Sequence, residues 1–289
     1  MRVVLIHNPA AGDGQGCRKH LMGFIRSAGH RAVYQSTDER DWHEAIAQPA
    51  DLVAVAGGDG TVAKVAKRML HRGVPIAILP LGSANNIAKS LQPTMDIEAL
   101  IAGWAAGRRI ESDIGLTTLP EGSSYFVESV GIGLLADIIA TADARSNAPI
   151  ETKARHEWML KLASERLGRY CPQRLWIDLD GVDLTGDYLL LEAMIINHAG
   201  PNLCLTPASK ADDDLLDLVL VSEQERDRLA AYFMKPSSAA GLPVRRGRRL
   251  QVKWDSADWH IDDATRSGAG SLKIEVSVEA KALQFLVPG

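Results

Sequence analysis

Three glycine-rich stretches carry most of the chemistry available to this chain: Asn8-Pro9-Ala10-Ala11-Gly12, Gly57-Gly58-Asp59-Gly60-Thr61 and Gly82-Ser83-Ala84-Asn85-Asn86. Gly57, Gly58 and Gly60 free the backbone for a tight turn and let a ligand approach main-chain N–H groups, while a helix starting at Thr61 favours an anion. Phosphate is the natural guest. Asp59 would repel it, so a cation must lie between them, most simply Mg²⁺ shared with a nucleotide phosphate; the alternative is that Asp59 only caps its helix. Two acidic clusters follow later in the chain. Asp212-Asp213-Asp214-Leu215-Leu216-Asp217 offers hard oxygen ligands for Mg²⁺ or Ca²⁺, or is a solvated acidic turn. Trp259-His260-Ile261-Asp262-Asp263-Ala264 puts carboxylates at a strand end, where one could take the proton from an attacking hydroxyl.

The elements that must position these residues are legible around them. Leu52 to Ala56 reads as a buried strand, Val62 to Leu70 as an amphipathic helix, Pro75 to Leu79 as a second strand and Ile87 to Leu91 as a second helix. A strand, crossover helix and parallel strand place both turns at the carboxyl edge of one sheet, where open α/β sheets bind ligands. Val3 to Ile6, the loop from His7 to Gly16 and a helix from Cys17 to Ala28 repeat the pattern, which brings Asn8 and Gly12 to that edge; for Asn8 an Asx turn before proline is the alternative. No GxxxxGK[ST] run is present, which argues against a Walker-type loop. His30 to Gln35 is a further strand. Ser36 and Thr37 at its carboxyl end could donate hydroxyls to phosphate or cap the next short helix, Trp42 to Ala47. Lys89 lies one turn beyond Asn86 and either reaches the crevice or stands in solvent. Pro93 stops its helix, and Asp96 to Ala106 forms another.

The pattern then changes to strands: Arg109 to Thr117, Ser124 to Gly131, Gln173 to Leu179, Tyr188 to Asn197, Leu216 to Val221, Leu250 to Asp255 and Leu272 to Val278. A helical insertion interrupts them near 134–169. The expected fold is α/β plus all-β: an N-terminal Rossmann-like three-layer α/β nucleotide-binding domain over 1–115, and a C-terminal antiparallel β-sandwich domain over 116–281, meeting at a cleft. Residues 282–289 are expected to return to the first domain.

A 46% hydrophobic, 24% charged composition is that of a globular protein with a real core, and a net charge of −4 gives no support to nucleic-acid binding. Cys17, Cys171 and Cys204 are too few and too scattered for a disulfide framework or zinc cluster. The N-terminus reads as a strand rather than a signal peptide, and no segment reaches transmembrane length, so a cytoplasmic protein is expected. Arg245-Arg246-Gly247-Arg248-Arg249 could draw anionic headgroups or be a solvated turn. His7 and His260 lie near the expected crevice, where structural histidines are the commoner finding.

Taken in order, Asn8 to Gly12, Gly57 to Thr61 and Pro80 to Asn86 resemble the three motifs of the diacylglycerol kinase catalytic domain family, which includes bacterial lipid kinases and sphingosine kinases and is more distantly similar to NAD kinases. The resemblance covers nearly the whole chain. It implies an ATP-dependent kinase that uses Mg²⁺ and phosphorylates a lipid alcohol such as diacylglycerol, at a membrane surface, with a homodimer left open. Nucleotide would bind at Asn8, Gly12, Thr37, Gly57, Gly58, Asp59, Gly60, Thr61, Gly82, Ser83 and Asn85, with Asp59 organising Mg²⁺. The stretch from Thr206 to Val219 resembles the family segment ending in Asp-Gly-x-Leu-Asp, which implies a structural metal at Asp217 with Asp214. The late Asp-Gly-Glu motif implies Asp262 as general base, and Asp113 matches an aspartate of the family's interdomain active site. Glu128 stands where asparagine is frequent, and Gly131-Ile132-Gly133 resembles the glycine pair that follows. The chain departs from the pattern at Asn86, where the family has aspartate, at Asp214 and Asp263, where it has glycine, and at Ala264, where it has glutamate; Asp263 is therefore a second candidate for the base. Two other readings stay open: a kinase of NAD or another soluble alcohol, and a nucleotide-binding or regulatory module that has lost catalysis.

Overall fold

The computed structural model describes residues 1–12, 17–149, 151–236, 241–255, 257–267 and 270–288. It divides into unit 1, Met1–Ser112 with Lys281–Gly289, and unit 2, Asp113–Ala280. Gly14 and Gly16 of the first loop lie outside the described residues.

Unit 1 contains β1 (Arg2–His7), α1 (Arg18–Ser27), β2 (Arg31–Ser36), β3 (Leu52–Gly57), α2 (Asp59–Ala66), β4 (Ile76–Pro80), α3 (Asn86–Leu91) and α4 (Ile97–Ala102). The strands are parallel in the order β4-β3-β1-β2. β1 and β3 are continuous apolar runs because both faces of a parallel sheet are covered. Leu5, Ala54, Ala56 and Leu79 pack with Leu21 and Ile25 of α1, Leu100 and Ile101 of α4, and Trp104. Trp42–Ala47 and Gly103–Ala105 are short 3₁₀ turns. α2 starts three residues earlier than the apolar period suggests and ends at Ala66, so Asp59 is its first residue rather than part of the preceding turn.

Unit 2 begins within β5 (Arg108–Leu119) and continues through β6 (Gly122–Phe126), β7 (Ser129–Gly133), α5 (Leu134–Asp143), α6 (Thr152–Leu167), β8 (Gln173–Leu179), β9 (Val182–Asp183), β10 (Gly186–Met194), β11 (His198–Ala199), β12 (Leu203–Cys204), β13 (Leu216–Ser222), α7 (Arg226–Met234), β14 (Val244–Gly247), β15 (Arg249–Asp255), β16 (Trp259–Ile261), β17 (Ala264–Arg266) and β18 (Ser271–Val287), within which the chain returns to unit 1. The pairing of these strands is antiparallel, and β10 joins them. Its first residues pair with β8, and after a register shift between Tyr188 and Leu190 it lies between β7 and β13. α5, α6 and α7 cover this region through Leu134, Leu135, Ile138, Leu167, Leu229 and Phe233.

Two sequence expectations are corrected here. The run Ser124 to Gly131 is two strands, broken at Val127 and Glu128, whose N–H groups turn to a side chain instead of a neighbouring strand. α7 lies where no helix was expected, introduced by a capping box between Ser222 and Glu225. The basic run is an exposed junction between strands, as one reading expected, though a tight one: Arg245 and Arg246 belong to β14 and Arg249 to β15.

Candidate active site

In unit 1 the three glycine stretches converge on the carboxyl edge of the parallel sheet. Asn8 N donates to Ala56 O at 2.9 Å, and Leu81 N donates to Gly57 O at 3.0 Å. The two central turns touch backbone to backbone: a Cβ on Gly82 would lie 2.5 Å from Gly58 Cα, closer than real side chains come, and one on Gly58 would lie 3.1 Å from Gly82 Cα. Gly12, at φ +82°, packs its Cα against Leu81, where a Cβ would stand 3.0 Å from the carbonyl oxygen. Only glycine permits contacts this close.

Side chains then tie the turns together. Asn8 Oδ1 accepts from Ala10 N at 3.0 Å, an Asx turn, while Nδ2 donates to Thr61 Oγ1 at 3.2 Å. Asn85, in the left-handed region at φ +54°, closes its own turn by accepting from Gly82 N at 2.9 Å and donating to Gly82 O at 2.7 Å. Thr37 is half-buried at the end of β2 and its N–H donates to His7 O at 2.8 Å, one strand beyond Asn8. Ser83 is exposed at the tip of the second turn, Gly60 is the second residue of α2, and Gly57 leaves room for Thr61, whose Cβ would otherwise be 2.7 Å away.

Asp59 does not cap the helix it opens. Its carboxylate is buried, and Oδ1 accepts from Ile87 N at 3.0 Å, with the amides of Asn86 and Asn85 also directed at it. It therefore caps α3 of the second motif rather than its own helix. Burial pushes its carboxyl above the ordinary range, and those amides offset part of the rise. These amides take up much of the carboxylate's accepting capacity and leave less of it for a direct Mg²⁺ bond. Lys89 Nζ reaches back to Ala84 O at 2.6 Å; burial lowers its pKa and the nearby Asp59 works the other way. The residue as a whole stays exposed, with its ammonium drawn back to the turn. His7 is buried with Nδ1 3.0 Å from Tyr34 Oη, and burial lowers its pKa against the pull of Asp38.

In unit 2, Asp262 and Asp263 form the two-residue turn joining β16 to β17. Asp263 is the exposed residue of the two. Asp262 is buried at φ +49°, and its Oδ1 accepts from Val127 N at 3.0 Å and Glu128 N at 2.9 Å. This is the contact that breaks the strand between β6 and β7.

Asp113 sits mid-strand in β5, not at a strand end, and is 1% exposed. Its Oδ2 accepts from Asp214 N at 2.8 Å, and Asp214 stands at φ +60°, the region glycine occupies most easily, where the resembled family has glycine. Arg246 Nε donates to Asp217 Oδ1 at 2.9 Å and the same guanidinium pairs with Asp213. At the expected metal position of Asp217 and Asp214, an arginine already supplies positive charge to the loop. Among the described residues no three His, Cys, Asp or Glu side chains gather in a metal-holding group, although Asp213 Oδ1, Asp214 Oδ1 and Asp217 Oδ2 have no protein partner. Arg249 pairs with Glu275, and Arg248 lies 3.9 Å from Asp214. No described helix is long and apolar enough to cross a membrane.

Sequence reasoning missed Glu192, fully buried in β10 and 2.9 Å from the ring of His260. The signal was present: a lone glutamate inside the apolar run Leu189-Leu190-Leu191-Glu192-Ala193-Met194 must have a buried partner.

A mixed α/β protein with paired glycine turns on a parallel sheet, continued by antiparallel strands, is the class this geometry defines. Residues 2–117 match the family described as the diacylglycerol kinase catalytic domain, as the motifs' resemblance implied. The chain is 25% identical over 313 residues to a diacylglycerol kinase of Mycobacterium tuberculosis, covering 99% of this chain and 95% of that one. It is 26% identical over 246 residues to a Pectobacterium atrosepticum protein named "Probable lipid kinase YegS-like", covering 80% and 78%. In fold it is similar to the crystal structure of a diacylglycerol kinase from Bacillus anthracis, with a TM-score of 0.71 at 17% identity, over 99% of this chain and 96% of that one.

Proposed function

We propose that this chain is an ATP-dependent kinase that transfers the γ-phosphate to the hydroxyl of diacylglycerol or a related lipid alcohol. The observation that carries the reading is the backbone contact of Gly58 with Gly82, bridged by Asp59, which builds one cradle from two glycine motifs. ATP is the cosubstrate. Its phosphates would meet the N–H groups at the start of α2 and the Gly82 to Asn85 turn, with Lys89 Nζ supplying positive charge. Gly12, Asn8 and Thr37 would complete the cradle. Asp262 takes the acceptor's hydroxyl proton; the oxygen then bonds to the γ-phosphorus as the bond to the bridging oxygen breaks and ADP departs. The acceptor at a membrane surface explains the relatives' lipid-kinase names better than a soluble alcohol does.

The test is ATP turnover by the purified protein with Mg²⁺, comparing diacylglycerol in mixed micelles, a sphingoid base, NAD and no acceptor. Lipid-dependent turnover that falls at least about 100-fold in Asp262→Asn is expected. Turnover with NAD alone points to the soluble-alcohol kinase, and ATP binding without turnover on any acceptor points to the binding module.

A further inference from the structure

Glu192 and His260 lie on different strands of unit 2, 0% and 1% exposed, and meet above the backbone of β7. Both are level with Gly131 in the strand register. A Cβ on Gly131 would fall 1.9 Å from Glu192 Oε1 and 2.4 Å from His260 Nε2, so the missing side chain is the space in which the pair sits. His260 Nε2 is 2.9 Å from Glu192 Oε1, and Nδ1 is 2.7 Å from the main-chain oxygen of Asp262. A carbonyl only accepts, and an ionised carboxylate only accepts, so a ring between them satisfies both only by carrying a proton on each nitrogen. Glu192 Oε2 has no protein partner, which leaves that buried carboxylate dependent on the imidazolium.

We infer that Glu192 and His260 are positioning residues: a buried ion pair that clamps the main chain of the Asp262 turn and so aims the Asp262 carboxylate. The inference rests on the reading of Asp262 as the proton acceptor. The turn needs such a clamp because Asp262 is in the left-handed region, which costs a non-glycine residue on the order of 1 kcal/mol. Burial opposes the charge on His260, but Glu192 and Asp262 outweigh it and raise the pKa. Of the other elements packed against β16, β7 bears no ionisable side chain, β17 bears Arg266, stacked over Trp259, and α5 bears Asp143 and Asp137, the latter held by Arg166. A raised histidine keeps its charge, and the clamp, until pH climbs through the folded-state value.

The experiment follows the His260 ring by NMR in the full-length protein with ¹⁵N-labelled histidine, the signal assigned by its loss in His260→Gln or by contacts to Gly131. Both nitrogens protonated at about pH 7.5, above the ordinary imidazole pKa, is the expected result; a neutral single tautomer there overturns the inference. Kinetics supply the second readout. Glu192→Gln keeps the shape but not the charge, and should lower kcat at least about 10-fold near pH 8, with recovery as pH falls and KM for ATP unchanged. If Asp262→Asn is inactive while Glu192→Gln matches wild type at every pH, the clamp is refuted. If Asp262→Asn stays active, the assignment of the base fails, whereas the doubly protonated ring still stands or falls by the NMR result.

Discussion

Asp59 is the residue on which the candidate site turns. Its type suggested a metal ligand or a cap on its own helix, yet its oxygens hold the amides of α3. Asp59→Asn keeps an acceptor for Ile87 N, so its stability should stay within about 1 kcal/mol of wild type, whereas Asp59→Ala leaves buried amides without an acceptor and should cost about 1–3 kcal/mol. Thermal melts separate the two. The pH dependence has a sign. An acid whose pKa is raised on folding contributes stability that is fully present below its unfolded value and lost as pH rises through the raised folded one. Wild type should therefore lose stability relative to Asp59→Asn across that window; a flat difference would show that the carboxylate is not strained by burial.

At the scale of elements, the close approach of two turns is the decisive feature. Gly82→Ala places a methyl against Gly58 Cα and Asn85 Oδ1, both within 3 Å, and neither is the far end of a flexible chain. The turns must part, at about 1–3 kcal/mol, and ATP affinity measured by calorimetry should fall at least about 10-fold. The β13–β14 pair is held differently. Arg246 is 43% exposed while Asp217 is 5% exposed at the side chain, so solvent screens the arginine and leaves the aspartate dry. Arg246→Gln should destabilise by about 1–3 kcal/mol, below the loss for a fully buried pair, by stranding Asp217. A chelator should leave the melting temperature of wild type unchanged. A fall on chelation would restore the metal to this loop.

For the molecule as a whole, the closing segment matters out of proportion to its length. Phe285 pairs with Ile76 beside β4, and Ala282, Leu283, Phe285, Leu286 and Val287 are buried in unit 1. Four large apolar side chains at about 1.5–3 kcal/mol each rival the whole stability of a domain. Truncation after Ala280 should leave unit 1 unfolded, seen as loss of cooperative melting and of ATP binding together. A truncated chain that still binds ATP would show that the parallel sheet is complete without its last strand.

The sequence by itself determined a good deal. Strand–glycine–helix order placed β1, β3, β4 and their turns, because parallel strands must be apolar throughout and phosphate-type turns must be glycine. The change to alternating strands marked the second half, and the three motifs in order pointed to the family whose catalytic domain matches residues 2–117. What only the tertiary structure decided is who answers whom. Asp59 bonds an amide 28 residues away, Asp262 bonds amides more than 130 residues away, Arg246 pairs with Asp217 from the neighbouring strand, and Glu192 finds His260 across the strand of Gly131. Local pattern records the period of burial and the freedom of the backbone. The partner of a buried charge is set by strand register between distant segments, which no local spacing encodes.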